Sequence, residues 1–458
     1  MGSLACMLAG RGLRVTGSDT GAYPPMSEQL AAAGIEIRLG HSPENLLDPR
    51  PDLVVVGNAV RRDNPEARAA IDGGLPYVSF PDAVRQFFLS DRHPVVVTGT
   101  HGKTTTTSLI AWILTRAGRD PGALIGGVAR NFGGSFRLGG GDCFVIEGDE
   151  YDTAFFDKTP KFWHYAAESV VLTSCEFDHA DIYSSLEQIQ AAFRKLLAGV
   201  PPGGRIVAAT DAASVRAVLD SAAAPVEGYG FDPAALWRAT ELEFGPGGAR
   251  FRVLRDGVGA ARVDLPLHGR HNVSNALAAV AVCAGLGVEP ETSAAALAEF
   301  AGVKRRQEVR GEAAGVVVID DFAHHPTAVR ETIAALRCAY PEHRLWAIFE
   351  PRTNTSRRRY FEAEFAEALA GADEVLLADV YRGEDLPAGE RLRPERVAQG
   401  VRAAGGEASH LGTVEAIVER LVRGHRGRDV ALIMSNGAFG GIWQKLLAEL
   451  GGPPDDPE

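Results

Sequence analysis

A glycine-rich segment after the apolar run Val95–Val97 has the residue types and spacing of an anion-binding loop. It consists of Gly99, Thr100, His101, Gly102, Lys103, Thr104 and Thr105. Glycines let the backbone wrap so that consecutive N–H groups point at phosphate oxygens, and the N-terminus of a following helix adds partial positive charge. The lysine can then reach the β- and γ-phosphates of a nucleotide, and the hydroxyl of Thr104 can bind Mg²⁺. The alternative is a strand-to-helix turn with an incidental lysine; we favour the phosphate loop because strand, loop and helix occur together.

Carboxylates and one histidine follow two other apolar runs. The run at 143–146 precedes Glu147, Asp149, Glu150 and Asp152. The run at 170–173 is predicted to continue as a strand that ends near Glu176, Asp178, His179 and Asp181. Oxygen ligands suit hard divalent cations, which can bridge a nucleotide to a second substrate. A charged strand end is often only solvated, so it is the combination with a phosphate loop that predicts a magnesium site.

Short apolar runs alternate with alanine- and leucine-rich stretches along the chain. The runs predict buried parallel strands at Leu53–Gly57, Pro94–Gly99, Cys143–Ile146, Val170–Thr173, Gly315–Asp320, Leu345–Phe349, Glu374–Leu377 and Val430–Met434. The stretches predict helices that include Thr105–Arg116, Ser274–Gly285 and Arg357–Ala370. Near-continuous apolar strands are typical of a sheet covered on both faces, so the fold class is α/β. Ligands of such sheets bind beyond the carboxyl ends of the strands, which is where the loop and the acidic residues stand.

The length of 458 residues corresponds to about three domains. We place them at 1–90, 91–302 and 303–450, with boundaries near residues 88–93 and near Phe300–Lys304. Residues 451–458 are rich in proline, glycine and acidic side chains, and we predict a disordered tail.

Charge and cysteine usage exclude several classes of function. The chain has 47 basic and 59 acidic residues, a formal net charge of −12, which disfavours general electrostatic binding of nucleic acid. No apolar run is long enough to cross a bilayer, and no signal peptide is recognisable. Five scattered cysteines without a CxxC pair indicate neither a disulfide framework nor a zinc site. We expect a cytoplasmic protein with no nucleic-acid, membrane or obligate protein partner.

Four motifs taken together resemble the Mur ligase family. They read GTHGKTTT at 99–106, EGDEYD at 147–152, EFDHADIY at 176–183 and HNVSN at 271–275, and the resemblance covers essentially the whole chain. It implies an ATP-dependent enzyme that uses Mg²⁺ to join an amino acid or a peptide to a UDP-muramoyl carboxylate. It also implies an N-terminal Rossmann-like UDP-binding domain, a central P-loop ATPase domain and a C-terminal Rossmann-like peptide-binding domain.

Three further stretches point to a branch within the family. YDTAFFDK, FEPRTNTSR and MSNGAFGG resemble enzymes that attach the murein tripeptide L-Ala-γ-D-Glu-meso-diaminopimelate to UDP-N-acetylmuramate in peptidoglycan recycling. The resemblance therefore implies these two molecules as substrates. Two alternatives stay open, namely the related ligase that adds L-alanine and a non-catalytic nucleotide-binding homologue. A folate–glutamate ligase of similar architecture is disfavoured, because residues 1–90 look like a nucleotide-sugar domain.

The resemblance implies roles for the central residues. It implies that magnesium is held by Thr104, Glu147 and His179, with Lys103 on the phosphates. It implies that adenine is contacted by the start of a helix at His271, Asn272 and Asn275. For this last group, a good helix cap with a buried asparagine is the alternative.

In the third domain the resemblance implies an arginine on the ATP phosphates, which we assign to Arg306; a solvated linker charge run is the alternative. Asp321 would face the ribose, and His324 or His325 the reacting end of the substrates, with His324 the candidate base. Paired histidines can also bind a transition metal, but no third ligand of the right spacing stands near them in the sequence.

Polar residues elsewhere are candidates for substrate contact. Ser18 and Asp19 follow a strand predicted at Leu13–Gly17, where the family contacts the uridine end of its substrate. The remaining candidates are Asn131, Arg352, Ser435 and Asn436. An acidic peptide needs arginine forks and backbone N–H groups, which the last three positions can supply.

The sequence departs from the family in two places. It begins with residues that resemble the first helix, so the preceding strand and its glycine turn are not found. If the chain starts at Met1, we expect weakened UDP-sugar binding and an exposed sheet edge. We favour the alternative that the start codon was assigned too far downstream. In-frame upstream codons that encode the strand and its glycine turn would support this alternative. The second departure concerns a lysine that relatives carbamylate to hold a metal: Lys195 has no clear register with it, and we assign no carbamylation.

Overall fold

The computed structural model describes residues 1–23 and 26–451 as three consecutive α/β units. All of the predicted tail except its first residue lies outside the described residues. The first unit contains α1 (Gly2–Gly10), β1 (Thr16–Asp19), α2 (Met26–Ala32), β2 (Glu36–Leu39), β3 (Val54–Val56), α3 (Pro65–Asp72), β4 (Tyr77–Ser79) and α4 (Phe80–Val84). Its described strands form two separate parallel pairs, β1 with β2 and β3 with β4. The strand predicted at Leu13–Gly17 therefore lies further along the chain, with Ser18 and Asp19 as its last residues.

The first unit shares an apolar cluster with the second. Leu4 and Met7 of α1 and Phe88 are buried, and they belong to the same cluster as Val96 and Phe144. Each such side chain contributes roughly 1.5–3 kcal/mol when it is fully buried. The core is therefore continuous between these two units.

The second unit is built on one large sheet. Its elements are β5 (His93–Thr98), α5 (Lys103–Arg116), β6 (Gly122–Ala129), β7 (Gly134–Arg137), β8 (Cys143–Gly148), β9 (Asp152–Ala154), β10 (Asp157–Pro160), β11 (Ser169–Leu172), α6 (Leu186–Ala198), β12 (Arg205–Ala209), α7 (Ala213–Arg216), β13 (Val226–Gly230), β14 (Trp237–Gly245), β15 (Gly248–Arg255), β16 (Val258–Leu265), α8 (Arg270–Gly285) and α9 (Pro290–Ala298). Among the described residues, ten strands follow the order β16-β15-β14-β13-β12-β11-β5-β8-β6-β7, and β9 and β10 form a separate antiparallel pair.

The sheet order brings the predicted loop and both acidic segments together. β5 lies between β8 and β11, and all three run parallel. Thr98 at the end of β5 pairs with Gly148 on one side and with Leu172 on the other. Because parallel strands end at one edge, the residues that follow these three strands meet there.

Both faces of this sheet are covered, as the continuous apolar strands require. Val95 and Val97 belong to the cluster formed with α5, α8 and α9, whereas Val96 belongs to the cluster on the opposite face. Side chains alternate between the faces of a strand, so a strand buried on both sides has no polar positions. Beyond β13 the sheet continues as the antiparallel strands β14 to β16, which our reading of the sequence did not predict.

The third unit has a sheet of its own. It contains β17 (Glu308–Ala313), β18 (Val316–Asp321), α10 (Pro326–Ala339), β19 (Arg344–Phe349), α11 (Glu362–Leu369), β20 (Glu374–Ala378), α12 (Pro394–Ala403), β21 (Glu407–Gly412), α13 (Val414–Gly424), β22 (Asp429–Met434) and α14 (Ile442–Glu449). The strand order in the described chain is β17-β18-β22-β19-β20-β21, parallel except for the edge strand β17. Asp321 and Phe349 both pair with Met434, so the ends of β18, β19 and β22 lie at one edge.

Two predicted elements need correction. The strand expected to reach Glu176 ends at Leu172, and the following residues are irregular. The helix expected from Arg357 begins at Glu362, and the arginine run before it ends in a short 3-10 helix at Arg359–Phe361. None of the described helices combines the length and the hydropathy needed to span a membrane.

Candidate active site

Two glycines shape the loop between β5 and α5. Gly99 has φ 127° and Gly102 has φ 81°. A Cβ on Gly99 would lie 2.4 Å from the Thr173 hydroxyl oxygen, and one on Gly102 would lie 2.4 Å from Asn275 Oδ1. Only glycine combines this backbone conformation with so close an approach. The helix begins directly afterwards at Lys103.

The other loop residues hold it against the segment that follows β11. The Thr100 hydroxyl oxygen accepts a hydrogen bond of 2.8 Å from the backbone N–H of Glu176. The backbone N–H of His101 donates to the Ser174 hydroxyl oxygen at 2.8 Å. Thr105 is buried in the first turn of α5. The loop is therefore anchored to the neighbouring strand end.

Lys103 is bound by the protein itself. Its Nζ donates to the carbonyl oxygen of Gly99 at 2.7 Å and to Glu150 Oε2 at 2.9 Å. Burial acts to lower the pKa of Lys103, but attraction by Glu150, Asp149 and Glu147 outweighs it and raises the pKa. The lysine is thus a buried cation surrounded by carboxylates.

Thr104 and Glu147 form a pair that fits a magnesium ion. The Thr104 hydroxyl donates to Glu147 Oε1 at 3.0 Å, and the backbone N–H of Gly126 donates to Oε2 at 2.7 Å. Neighbouring oxygen ligands of octahedral Mg²⁺, each at about 2.1 Å, stand about 3.0 Å apart. Burial and the nearby Asp149 raise the pKa of Glu147. A bound cation would relieve this crowding of carboxylates, so the donor set suits Mg²⁺.

His179 lies near the same group of carboxylates. Its ring centre is 4.2 Å from that of Tyr151, and it is close enough to Asp149 to contribute, after Lys161 and Lys103, to the lowered pKa of that carboxyl. His179 has φ 54°, a left-handed conformation that is uncommon outside glycine. Lys103, Glu147 and His179 all lie near Asp149, and the binding of magnesium there stays a prediction. Lys195 lies apart from it, exposed, with its Nζ 3.6 Å from the centre of the Trp163 ring.

The third unit contacts the segment 176–181. Thr327 donates to Glu176 Oε2 at 2.7 Å, and the backbone N–H of Ala180 donates to the Thr355 hydroxyl oxygen at 3.2 Å. Burial opposes ionisation of Glu176, yet hydrogen bonds and the charge of His101 lower its pKa to about 2. The segment that carries His179 is therefore held by two loops of the third unit.

Arg306 extends from the third unit to the phosphate loop. Its Nη2 donates to the Thr104 hydroxyl oxygen at 3.4 Å, and the guanidinium lies 4.9 Å from the centre of the Phe322 ring. Arg305 points elsewhere and donates to Asp320 and to the carbonyl oxygen of Ser435. Arg306 therefore borders the phosphate loop, and its contact with ATP phosphates stays a prediction.

The predicted adenine-contacting residues lie in the first turns of α8. Asn275 Oδ1 is next to Gly102, and its Nδ2 donates to Asn272 Oδ1 at 3.2 Å. Asn272 donates to the carbonyl oxygen of His268 at 2.9 Å. Burial, with a smaller effect of Arg306, lowers the pKa of His271 to about 4. Asn275 thus borders the phosphate loop, and the contact of these three residues with adenine stays a prediction.

Asp321 and His324 occupy the end of β18. Both Asp321 oxygens accept backbone N–H groups, from Gln307 and from Ala323, at 2.7 Å each. Its carboxylate thus braces the linker, and its ribose contact stays a prediction. His324 Nδ1 is 2.9 Å from the carbonyl oxygen of Phe322, and Nε2 is 3.9 Å from Asp178 Oδ2. Burial lowers the pKa of His324, which favours the neutral form of its ring.

The three candidates for peptide contact gather at the ends of β19 and β22. The guanidinium of Arg352 lies against Gly437, 3.6 Å from the Tyr381 ring centre and 3.5 Å from Glu350. The Ser435 hydroxyl donates to Glu350 at 2.5 Å. Asn436 Oδ1 is buried without a hydrogen-bond partner among the described residues. Of these groups, Arg352 and Asn436 have polar atoms available for a ligand.

The remaining candidates lie farther apart. Ser18 donates to Glu66, and Asp19 is exposed at the end of β1. Asn131 bridges the linker, because it donates to the carbonyl oxygen of Glu299 at 3.0 Å and accepts from the N–H of Ala301 at 2.8 Å. Asn131 thus has a structural role at the linker between the second and third units, and its contact with substrate stays a prediction.

Two further residues, to which the sequence analysis assigned no individual role, belong to this cluster. Glu150, whose side chain is 2% exposed, pairs with Lys103. Lys161 Nζ is 3.2 Å from Asp149 Oδ2 and lies near the rings of Tyr151 and Phe80. Only six of the 47 basic residues are lysines, and that rarity is the signal that could have drawn attention to Lys161.

Models of the three Mur ligase units match the chain in order. The model described as Mur ligase family, catalytic domain, matches residues 1–92. The Mur ligase middle domain matches 97–283, and the Mur ligase glutamate ligase domain matches 305–437. All three units of the fold are therefore represented.

Individual relatives are similar over almost the full length. The UDP-N-acetylmuramate–L-alanyl-γ-D-glutamyl-meso-2,6-diaminoheptandioate ligase of Escherichia coli is 42% identical over 454 residues, 98% of this chain and 95% of that protein. The UDP-N-acetylmuramate–L-alanine ligase of Acetivibrio thermocellus is 35% identical over 452 residues, 98% of this chain and 93% of that protein. The crystal structure of a murein peptide ligase from Psychrobacter arcticus has a TM-score of 0.73 and 37% identity, covering 100% of this chain and 97% of that one. With these three units and this similarity, the chain belongs to the Mur ligase family.

Proposed function

We propose that this protein is an ATP-dependent ligase that joins L-Ala-γ-D-Glu-meso-diaminopimelate to the lactyl carboxylate of UDP-N-acetylmuramate. The proposal is supported by 42% identity over 98% of the chain to a ligase named for these substrates. Free cysteines at all five positions accord with a reducing compartment, and we place the reaction in the cytoplasm.

The observation that carries the chemistry is the meeting of Lys103, Thr104 and Glu147 with Arg306 from another unit. Arg306 lies 3.4 Å from the Thr104 hydroxyl, which in turn lies 3.0 Å from Glu147. Phosphoryl transfer depends mainly on positioning and on neutralising charge. Two cations and a magnesium-type carboxylate at one loop supply those requirements.

Thr104, Glu147 and His179 would hold magnesium. The ion supplies charge neutralisation at the phosphate oxygens when it is bound. Lys103 would bind the β- and γ-phosphates after leaving Glu150. Arg306 would contact the transferred phosphoryl group from the side of the third unit.

The reaction has two steps. The γ-phosphoryl group of ATP passes to the lactyl carboxylate, which gives an acyl phosphate and ADP. The free amine of the peptide then attacks the acyl carbon, the C–N bond forms, and phosphate leaves. The amine proton needs an acceptor, and we propose the neutral His324 because its Nδ1 is engaged by the Phe322 carbonyl oxygen. Closure of the third unit would exclude water from the acyl phosphate.

The second candidate activity is addition of L-alanine, favoured by the 35% identity to a ligase of that name. Phosphate release should be measured with ATP, Mg²⁺ and UDP-N-acetylmuramate and with either tripeptide, L-alanine or no acceptor. We expect release that depends on the tripeptide and exceeds that with L-alanine by at least tenfold. A preference for L-alanine would assign the second activity, and no acceptor-dependent release would favour a non-catalytic homologue.

A further inference from the structure

Three potential metal ligands from distant parts of the chain converge beside the phosphate loop. They are His101 from the loop, Glu176 from the segment after β11 and His325 from the third unit, and one ligand atom of each lies within 4.8 Å of the others. The sequence showed no third ligand near the paired histidines. The fold brings two further ligands to His325, namely Glu176 and His101, which lie about 150 and 220 residues before it in the sequence.

The distances suit a tetrahedral ion better than a magnesium ion. His101 Nε2 is 3.4 Å from Glu176 Oε2, and His325 Nδ1 is 3.7 Å from the same oxygen. Ligands of tetrahedral zinc at 2.0–2.1 Å stand about 3.4 Å apart. Two of the three edges are therefore near the required length, and the third, between the two histidines, is at most 4.8 Å.

Neighbouring groups orient the ligands for coordination. His325 Nε2 is 3.2 Å from the carbonyl oxygen of Phe177, so this nitrogen carries the proton and the lone pair is on Nδ1. In the metal-free protein Nδ1 accepts a long hydrogen bond of 3.3 Å from the backbone N–H of Thr327, which a bound ion would replace. The Thr327 hydroxyl donates to Glu176 Oε2 at 2.7 Å and fixes the carboxylate. Outer partners of this kind fix ligand orientation in known zinc sites.

We propose that His101, Glu176 and His325 bind one divalent transition-metal ion of the zinc type, at a site separate from the magnesium-type site at Glu147. Two imidazoles and one carboxylate with an open fourth position form a zinc ligand set, whereas Mg²⁺ prefers oxygen ligands. Because the ligands come from the loop and from the third unit, the bound ion fastens these two parts together. This inference goes beyond ligation and does not depend on it.

Titration of the full-length, chelator-treated protein with Co²⁺, without nucleotide and with excess Mg²⁺ present, tests the proposal. We expect the visible ligand-field absorption of tetrahedral Co²⁺ at one ion per chain, and its loss on addition of Zn²⁺. The substitutions His101→Gln, Glu176→Gln and His325→Gln should each abolish the absorption. Thr327→Val, which removes only the outer hydroxyl, should weaken binding about 10- to 100-fold.

Two matched variants separate this site from others. His93 forms a histidine–glutamate pair with Glu168 without a second histidine, so His93→Gln should leave the absorption unchanged. Glu147→Gln should also leave it unchanged, even where it abolishes ligation. Absorption that survives in all three ligand variants, or that is lost in Glu147→Gln, would overturn the proposal, as would the absence of Co²⁺ binding by the unaltered protein. The three ligand variants alter different parts of the chain, so misfolding of one variant does not determine the outcome of the test.

Discussion

Glu150→Gln should make the protein less stable and yet tighten its binding of ATP. Lys103 Nζ lies 2.9 Å from Glu150 Oε2, and the side chains are 12% and 2% exposed. To reach phosphates, Lys103 must leave this carboxylate. Glu150 therefore stabilises the nucleotide-free protein and competes with the nucleotide for the same cation.

The size of both effects follows from one hydrogen bond. A hydrogen bond to a charged group contributes about 1.5–3 kcal/mol. Glutamine keeps an acceptor oxygen, and Lys103 keeps the Gly99 carbonyl oxygen at 2.7 Å and the attraction of nearby carboxylates, so we take the lower end. The free energy of unfolding should fall by about 1.5 kcal/mol. Binding of ATP should tighten by about tenfold, since 1.4 kcal/mol corresponds to a factor of ten in Kd.

Calorimetric titration with a non-hydrolysable ATP analogue and Mg²⁺ measures the affinity, and urea unfolding measures the stability. Glu374→Gln is the matched control. Glu374 is a buried glutamate that pairs with Arg420 at 2.6 Å in the third unit, far from the loop in the fold. The control should lose stability without any change in nucleotide affinity. Weaker binding of the analogue by Glu150→Gln would refute the reasoning, because it would mean that the carboxylate positions the lysine for phosphate.

The other predictions concern catalysis and pH. Lys103→Ala should abolish tripeptide-dependent phosphate release. The control Lys445→Ala, which removes a surface lysine paired with Glu415, should retain it. Equal rates of phosphate release by the two variants would contradict the proposed role of Lys103 on the phosphates. Arg306→Ala should lower kcat by on the order of 10³, measured at saturating substrates, and a change confined to KM would contradict its place on the transferred group. Burial lowers the pKa of His325 to about 4. As the pH falls below about 6.5, the histidine therefore binds a proton in the unfolded chain before it does so in the folded protein. The free energy of unfolding should drop by about 2 kcal/mol between pH 7 and pH 5 for this reason. Urea unfolding with chelator present should show a smaller drop for His325→Gln, and an unchanged drop would contradict the burial argument.

The local parts of the site were predictable from the sequence because their signals are local. The loop GTHGKT lies between an apolar strand and a threonine-rich helix, and the structure has β5 and α5 there. The acidic segment after β8 was predictable for the same reason. Parallel strands end at one edge, so two strand ends that carry chemistry come together without further information.

Contacts between units were not predictable in the same way. The choice of Arg306 over Arg305 depends on the direction of the linker, where Arg305 has φ 60° and turns its side chain toward Asp320. Such a contact depends on how separately folded units are packed. Lys161 lies within the second unit, but it follows the antiparallel pair β9 and β10, which has no apolar run to reveal it.

One element was missed although its signal is present. Asp256 and Gly257 form a two-residue loop between β15 and β16, and both have positive φ. This dipeptide between alternating apolar residues is a strong indicator of a hairpin. Continuous apolar runs predict buried parallel strands, and half-exposed antiparallel strands such as β15 and β16 have no such run.

The left-handed backbone at His179 makes the conformation of segment 176–181 depend on its contact with the third unit. A non-glycine residue at φ 54° lies above its relaxed energy by roughly 1–2 kcal/mol, and Thr355 of the third unit holds the next residue, Ala180, in place. If the third unit moves away when product leaves, the hydrogen bond between Ala180 and Thr355 breaks and the backbone of His179 can relax. Release of product and loss of the proposed magnesium ligand His179 would then occur together.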